Sequence, residues 1–177
     1  DPNLASIMPG NLTGLTTENE QKILQTYGMI AVELEGGNGE RLNLASGKSA
    51  AITVAIPPGL QASAPATMPL WYFSDSLGLW KEEGTAARQG NTYTGSVSHF
   101  TFWNYDVPSD MVNLTLTLKN QAQAILPGYR IILKNTQTDS KGYGTTDSSG
   151  IASGAVPVSV PIEMTVYNKC NTLLHTQ

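Results

Sequence analysis

The run Ser96-Val97-Ser98-His99-Phe100-Thr101-Phe102-Trp103-Asn104 places an imidazole two residues before a hydroxyl. Its branched and aromatic side chains, without proline, predict a β-strand. Residues i and i+2 of an extended strand project from one face. His99 and Thr101 are therefore expected side by side, flanking the Phe100–Thr101 peptide bond. The chemistry open to such a pair is self-cleavage. The Thr101 hydroxyl would attack the Phe100 carbonyl carbon while His99 takes its proton. The amide would become an ester by an N→O acyl shift, and water would hydrolyse the ester. A hydroxyl needs such a base, and the bond also needs backbone strain, which residue types do not reveal. The architectural alternative is an ordinary sandwich strand whose imidazole is simply hydrogen-bonded. Motifs this short recur by chance, and the architectural reading is the expectation here.

Other reactive side chains suggest chemistry less strongly. Glu82 and Glu83, beside Lys81, would sit on opposite faces of a strand and so would not converge as an acid–base pair. Asp139, Asp147 and Ser148 have poor spacing for calcium and fit turn chemistry. Ser46, Ser49 and Ser98 lack the strand–turn–helix setting of a nucleophile elbow. Trp71, Tyr72, Trp80 and Trp103 would make a sugar-stacking platform if exposed, although aromatics at alternating strand positions usually form core. Asn11-Leu12-Thr13 and Asn113-Leu114-Thr115 have the glycan-acceptor pattern, meaningful only in a eukaryotic secretory setting.

Composition narrows the class. The chain has 177 residues, 40% apolar and only 14% charged, with a formal net charge of −4. Low charge with many Ser, Thr, Gly and Asn fits a secreted or cell-surface β protein. No basic patch favours nucleic acid, and no apolar run approaches the roughly 20 residues of a membrane helix. No signal peptide is visible, and both ends read as cuts from a longer protein. Cys170 is the single cysteine, so it is expected to be buried or paired outside this segment. His99 and His175 are too few for a histidine-rich metal site. No metal or cofactor is expected.

The elements that must position these residues are strands. Residues 1–27 are an undecided lead-in, where Thr17-Glu18-Asn19-Glu20 before Ile23-Leu24 has the spacing of a capping box and predicts a short helical turn. Met29–Glu35 and Arg41–Leu44 then read as a hairpin across Gly36-Gly37-Asn38-Gly39. Ser49–Ile56 is a strand stopped by Pro57-Pro58-Gly59. Leu70–Phe73 and Leu79–Glu82 form a second hairpin that brings Trp71 and Trp80 into the core. Thr92–Val97 runs on into the His-Phe-Thr segment. Tyr105-Asp106-Val107-Pro108-Ser109-Asp110 reads as a boundary of turn formers. Beyond it, Val112–Leu118 alternates with Val112, Leu114, Leu116 and Leu118 inward. Tyr129–Leu133, Tyr143–Thr146, Ile151–Val156 and Ile162–Tyr167 complete a small unit near the lower size limit for independent stability.

Two segments carry family resemblances. Tyr27–Leu34, Pro69–Gly84 and Gly95–Asn104 together resemble the extracellular β module of bacterial surface proteins. That module is similar to regions of cartilage intermediate layer proteins and of astroprincin-type membrane proteins. Thr145-Thr146-Asp147-Ser148-Ser149-Gly150 before Ala155-Val156-Pro157 resembles a carboxypeptidase-regulatory-like sandwich of the prealbumin or CnaB type. Such modules are usually stalks or adhesion scaffolds, so the resemblances imply no catalysis. The His99-Phe100-Thr101 triplet is similar to the His-Phe-Ser element at which ZU-five-type and certain nucleoporin domains cut themselves, with Thr in place of Ser. The CnaB likeness also implies an isopeptide bond between Lys119 and Asn168. Glu163, however, lies on the Asn168 strand rather than on a separate one, a departure from that pattern.

The expectation is an all-β chain of two consecutive β-sandwich domains. The first spans residues 1–106, and the second, prealbumin-like or Ig-like, spans residues 110–177. The expected role is a non-catalytic structural or adhesion module, extracellular or on a cell surface. Its partners would be other domains of the parent protein, or an extracellular protein or glycan, with no nucleic acid and no membrane insertion. The rivals are a self-cleaving module using His99, Phe100 and Thr101, and a carbohydrate-binding module.

Overall fold

The structure, a computed structural model, describes residues 8–177. The first seven residues of the expected lead-in lie outside the described residues. The architecture is all-β, as the alternation and turn spacing predict. The chain divides into two compact units, Asp1–Ser109 and Asp110–Gln177.

Among the described residues, nine strands lie in the first unit. They are β1 (Thr13–Leu15), β2 (Gln21–Ala31), β3 (Leu34–Glu35), β4 (Arg41–Leu42), β5 (Ala50–Ala55), β6 (Thr67–Ser74), β7 (Leu79–Gln89), β8 (Thr92–Val97) and β9 (Phe102–Ser109). Seven of them form one sheet in the order β1-β2-β9-β6-β7-β8-β5. β3 and β4 form a separate hairpin. A short parallel pairing of β1 with β7, Gly14 opposite Trp80, closes β1, β2, β9, β6 and β7 into a five-stranded ring. Gly14 permits that closure, because a Cβ there would sit 2.6 Å from Trp71 Cζ3.

Apolar side chains fill both faces of the sheet. Inside the ring lie Leu24, Trp71 and Trp80, with Met29, Phe73 and Phe102 against them. On the other face Tyr27, Ile52, Met68, Leu70, Tyr93, Trp103 and Tyr105 form a larger cluster. β2 serves both. A bulge between Thr26 and Met29 shifts the alternation by one, so Leu24 and Met29 share a face despite their odd separation. Gly28 in that bulge is packed so closely that any Cβ would run into Val54.

Three expectations need correction here. Residues 17–24 form no helical turn. Thr16–Glu20 is the tight turn of the β1–β2 hairpin, with Asn19 N–H donating to Thr16 O and Glu20 N–H to the Thr16 hydroxyl. Pairing of Ile23–Thr26 with Asp106–Ser109, some eighty residues away, outweighs the local signal. The units divide after Ser109, within residues 105–110, but those residues are mostly strand and not the expected run of turn formers, with Tyr105 and Asp106 fully buried. Pro108 is tolerated there because β6 pairs only with residues 103–105 of β9, leaving that side of Pro108 free of a ladder bond. The third correction is the break in the strand through residues 96–104, where 98–101 form a bend between β8 and β9.

In the second unit β10 (Met111–Thr117) pairs with β13 (Ile151–Pro157). β12 (Lys141–Thr145), β11 (Arg130–Asn135), β14 (Ile162–Tyr167) and β15 (Leu173–Thr176) form a four-stranded sheet in that order. Ile131 and Val166 are its buried apolar side chains. Val112, expected inward, is 53% exposed, while Leu114 and Leu116 are half-buried. One residue, Asp110, separates β9 from β10.

Candidate functional site

His99, Phe100 and Thr101 occupy the β8–β9 corner, so strand alternation does not set His99 beside Thr101. The corner is tied down from three directions. The Asn43 side chain grips the Phe100 peptide group as a neighbouring strand would. Its Oδ1 accepts the Phe100 N–H at 2.7 Å, and its Nδ2 donates to the Phe100 carbonyl at 3.3 Å. Val32 N–H donates to Thr101 O at 3.1 Å. The Trp103 indole N–H donates to His99 O at 3.1 Å.

The His99 ring meets Tyr72 edge-on at 4.8 Å and lies against Trp103 at 5.0 Å. Its Nε2 is 3.5 Å from Glu83 Oε2, while Glu83 Oε1 accepts the Ser98 hydroxyl at 2.7 Å. Among the described residues, no hydrogen bond links His99 to the Thr101 hydroxyl. No residue from 98 to 101 has a positive φ. Thr101 instead lines a shallow cavity of about 50 Å³ with Glu33, Arg41 and Asp75, where Arg41 and Glu33 are ion-paired at 2.5 Å. The corner thus contains an imidazole, a carboxylate and an amide on the Phe100 carbonyl, with the imidazole directed to the carboxylate.

The other candidates resolve into architecture. Trp71, Trp80 and Trp103 are each 0% exposed, so they form no platform for a sugar arriving from solvent. Glu82 and Glu83 diverge as alternation requires, Glu82 accepting the Thr17 N–H and Glu83 serving the corner. Asp139 pairs with Lys134 at 2.7 Å, whereas Asp147 Oδ1 accepts the N–H groups of Ser149 and Ile151. Lys119 is exposed and bridges to Ile125. Asn168 Oδ1 accepts the N–H groups of Cys170 and Thr172, so the pair implied by the CnaB likeness is not brought together by any contact. Cys170 is exposed, not buried, because it lies in that same turn. Among the described residues no three His, Cys, Asp or Glu side chains gather around a metal position. No described helix is long and apolar enough to cross a membrane.

One pair escaped the sequence reading. Asn104 and Asp106 are both 0% exposed. They alternate with Phe102 along β9 and therefore face the ring interior. Both Asp106 carboxyl oxygens, Asn104 Nδ2 and the Trp80 indole nitrogen are buried without a hydrogen-bond partner. The Thr26 hydroxyl reaches Asn104 Oδ1 at 3.4 Å. Burial pushes the Asp106 carboxyl up to about 8, with the Thr26 hydroxyl acting in the opposite direction. The signal available in sequence was the alternation Phe102, Asn104, Asp106, set between Trp103 and Tyr105.

A scan against protein-family models, a search of curated proteins and a search of solved structures each returned no match.

Proposed function

We propose that the chain is a non-catalytic structural or adhesion module of an exported surface protein. The observation that carries this reading is the β8–β9 corner, where His99 Nε2 is directed to Glu83 Oε2 at 3.5 Å and the surrounding polar groups hold backbone in place. The reactive side chains at the β8–β9 corner serve this role as fasteners, with Asn43 holding the Phe100 peptide and His99 wedged between two rings. The low charge content fits an exported protein. The likeness of residues 110–177 to carboxypeptidase-regulatory-like sandwiches, and of the first unit to surface β modules, points the same way. The partners under this reading are neighbouring domains of the parent protein and an extracellular protein or glycan.

The test is an intact-mass measurement of the purified chain under denaturing conditions after prolonged incubation at neutral pH. A structural module gives one 18.9 kDa species, and Thr101→Ala leaves it unchanged. Two fragments divided between Phe100 and Thr101, abolished by Thr101→Ala, would overturn the reading in favour of self-processing.

A further inference from the structure

The ring of β1, β2, β9, β6 and β7 encloses an acid that a purely apolar barrel would not need. We infer that Asp106 is a proton-operated latch on the β2–β9 seam: as a neutral acid it lets the ring close, and as a carboxylate it drives the seam apart. Three observations converge on it. Asp106 faces Thr26 across the seam, at the last regular pair before the bulge that reverses the alternation of β2. Its side chain is fully buried, and its own carbonyl is already committed to the Trp71 indole N–H at 3.0 Å. The Asn104 amide, two residues away on the same face of β9, and the Thr26 hydroxyl, opposite Asp106 on β2, are neutral. A neutral carboxylic acid both donates and accepts, so it suits such a setting. A carboxylate there would lose its hydration with no cation in return.

The charged groups facing the ring interior leave that balance intact. On β2, Lys22 shares the alternation of Leu24 and Thr26 but lies at the strand's entry, ion-paired to Glu20 at 2.8 Å. On β7, Glu82 alternates with Trp80 and accepts the Thr17 N–H. β1 contributes only Thr13, Gly14 and Leu15. The one titratable side chain of β6, Tyr72, belongs to the opposite face. On β9 itself, Asp110 follows just past the strand end. Burial is accordingly the leading influence on Asp106, and it raises the carboxyl to about 8 from 3.8. The folded chain then holds this proton where the unfolded chain has released it. Stability contributed by the latch is therefore full below about pH 4 and is lost progressively as pH rises towards 8, after which the loss is constant.

All three tryptophans lie in the first unit, so indole fluorescence reports its unfolding alone. Urea denaturation of the full chain should show the unfolding constant rising between pH 5 and pH 8, on the order of 10³-fold more for the native sequence than for Asp106→Asn. Parallel pH profiles for the two proteins would overturn the latch. Should Asp106→Asn fail to fold, carbon-13 NMR of Asp-labelled native protein decides the question. A carboxyl resonance still at its protonated position at pH 6.5 supports the latch, and every aspartate ionised at that pH overturns it.

Discussion

The two units reach the same kind of secondary structure by different means. Residues 8–109 bury three tryptophans and three tyrosines on two faces of one sheet. Residues 110–177 bury Ile131 and Val166 and leave Val112, Ile125, Tyr143, Leu173 and Leu174 largely in solvent. What the second unit has instead is a set of side-chain-locked turns. Asn120, Asn135, Asp147 and Asn168 each turn a side-chain oxygen back onto backbone N–H groups two to four residues on. The Thr146 hydroxyl adds another clasp, donating to Leu126 O at 2.6 Å while accepting the Tyr129 N–H at 2.9 Å. Large apolar area sustains one unit, and local hydrogen bonding limits the freedom of the other.

This contrast is open to attack by substitution. Trp71→Ala leaves a cavity beside Leu24 and Trp80 and also removes the donor to Asp106 O. It should cost about 3–5 kcal/mol, read as an earlier loss of indole fluorescence in urea. Tyrosine or circular-dichroism signals from the second unit should stay in place, and a coincident shift of both would show that the units unfold as one. Asp147→Ala should cost about 1 kcal/mol and should lower the second unit's midpoint alone. If it costs nothing, turn locking does not sustain that unit. Tyr143, 70% exposed, should accept Thr with a change within about 0.5 kcal/mol. A larger loss would mean that its ring has a role beyond the strand edge.

Where sequence reasoning succeeded, the deciding interactions were local. The Leu70–Phe73 and Leu79–Glu82 hairpin, the Asp147–Gly150 turn and the burial of Trp71 and Trp80 follow from alternation and turn residues a few positions apart. Where it failed, a distant partner decided. The capping pattern at Thr17–Glu20 lost to a strand register with residues 106–109. Tyr105-Asp106-Val107-Pro108 looks like turn chemistry until the ring closes around it. The candidate site failed by the same route. His99 and Thr101 share a face only if the strand continues, and the Asn43 clasp on Phe100, from a loop 57 positions away, belongs to a corner instead. Val112 departs from the expected alternation with one neighbour: β10 pairs only with β13, leaving its other edge unpaired within the sheet.

The register of β9 governs where the polypeptide can be divided. Val107, Pro108 and Ser109 stand opposite Gln25, Leu24 and Ile23. A fragment cut after Asp106, where turn-forming residues invite the cut, would strip three of the seven rungs of the β2–β9 seam and uncover Leu24. Excision that respects the ladder has one residue of tolerance, Asp110.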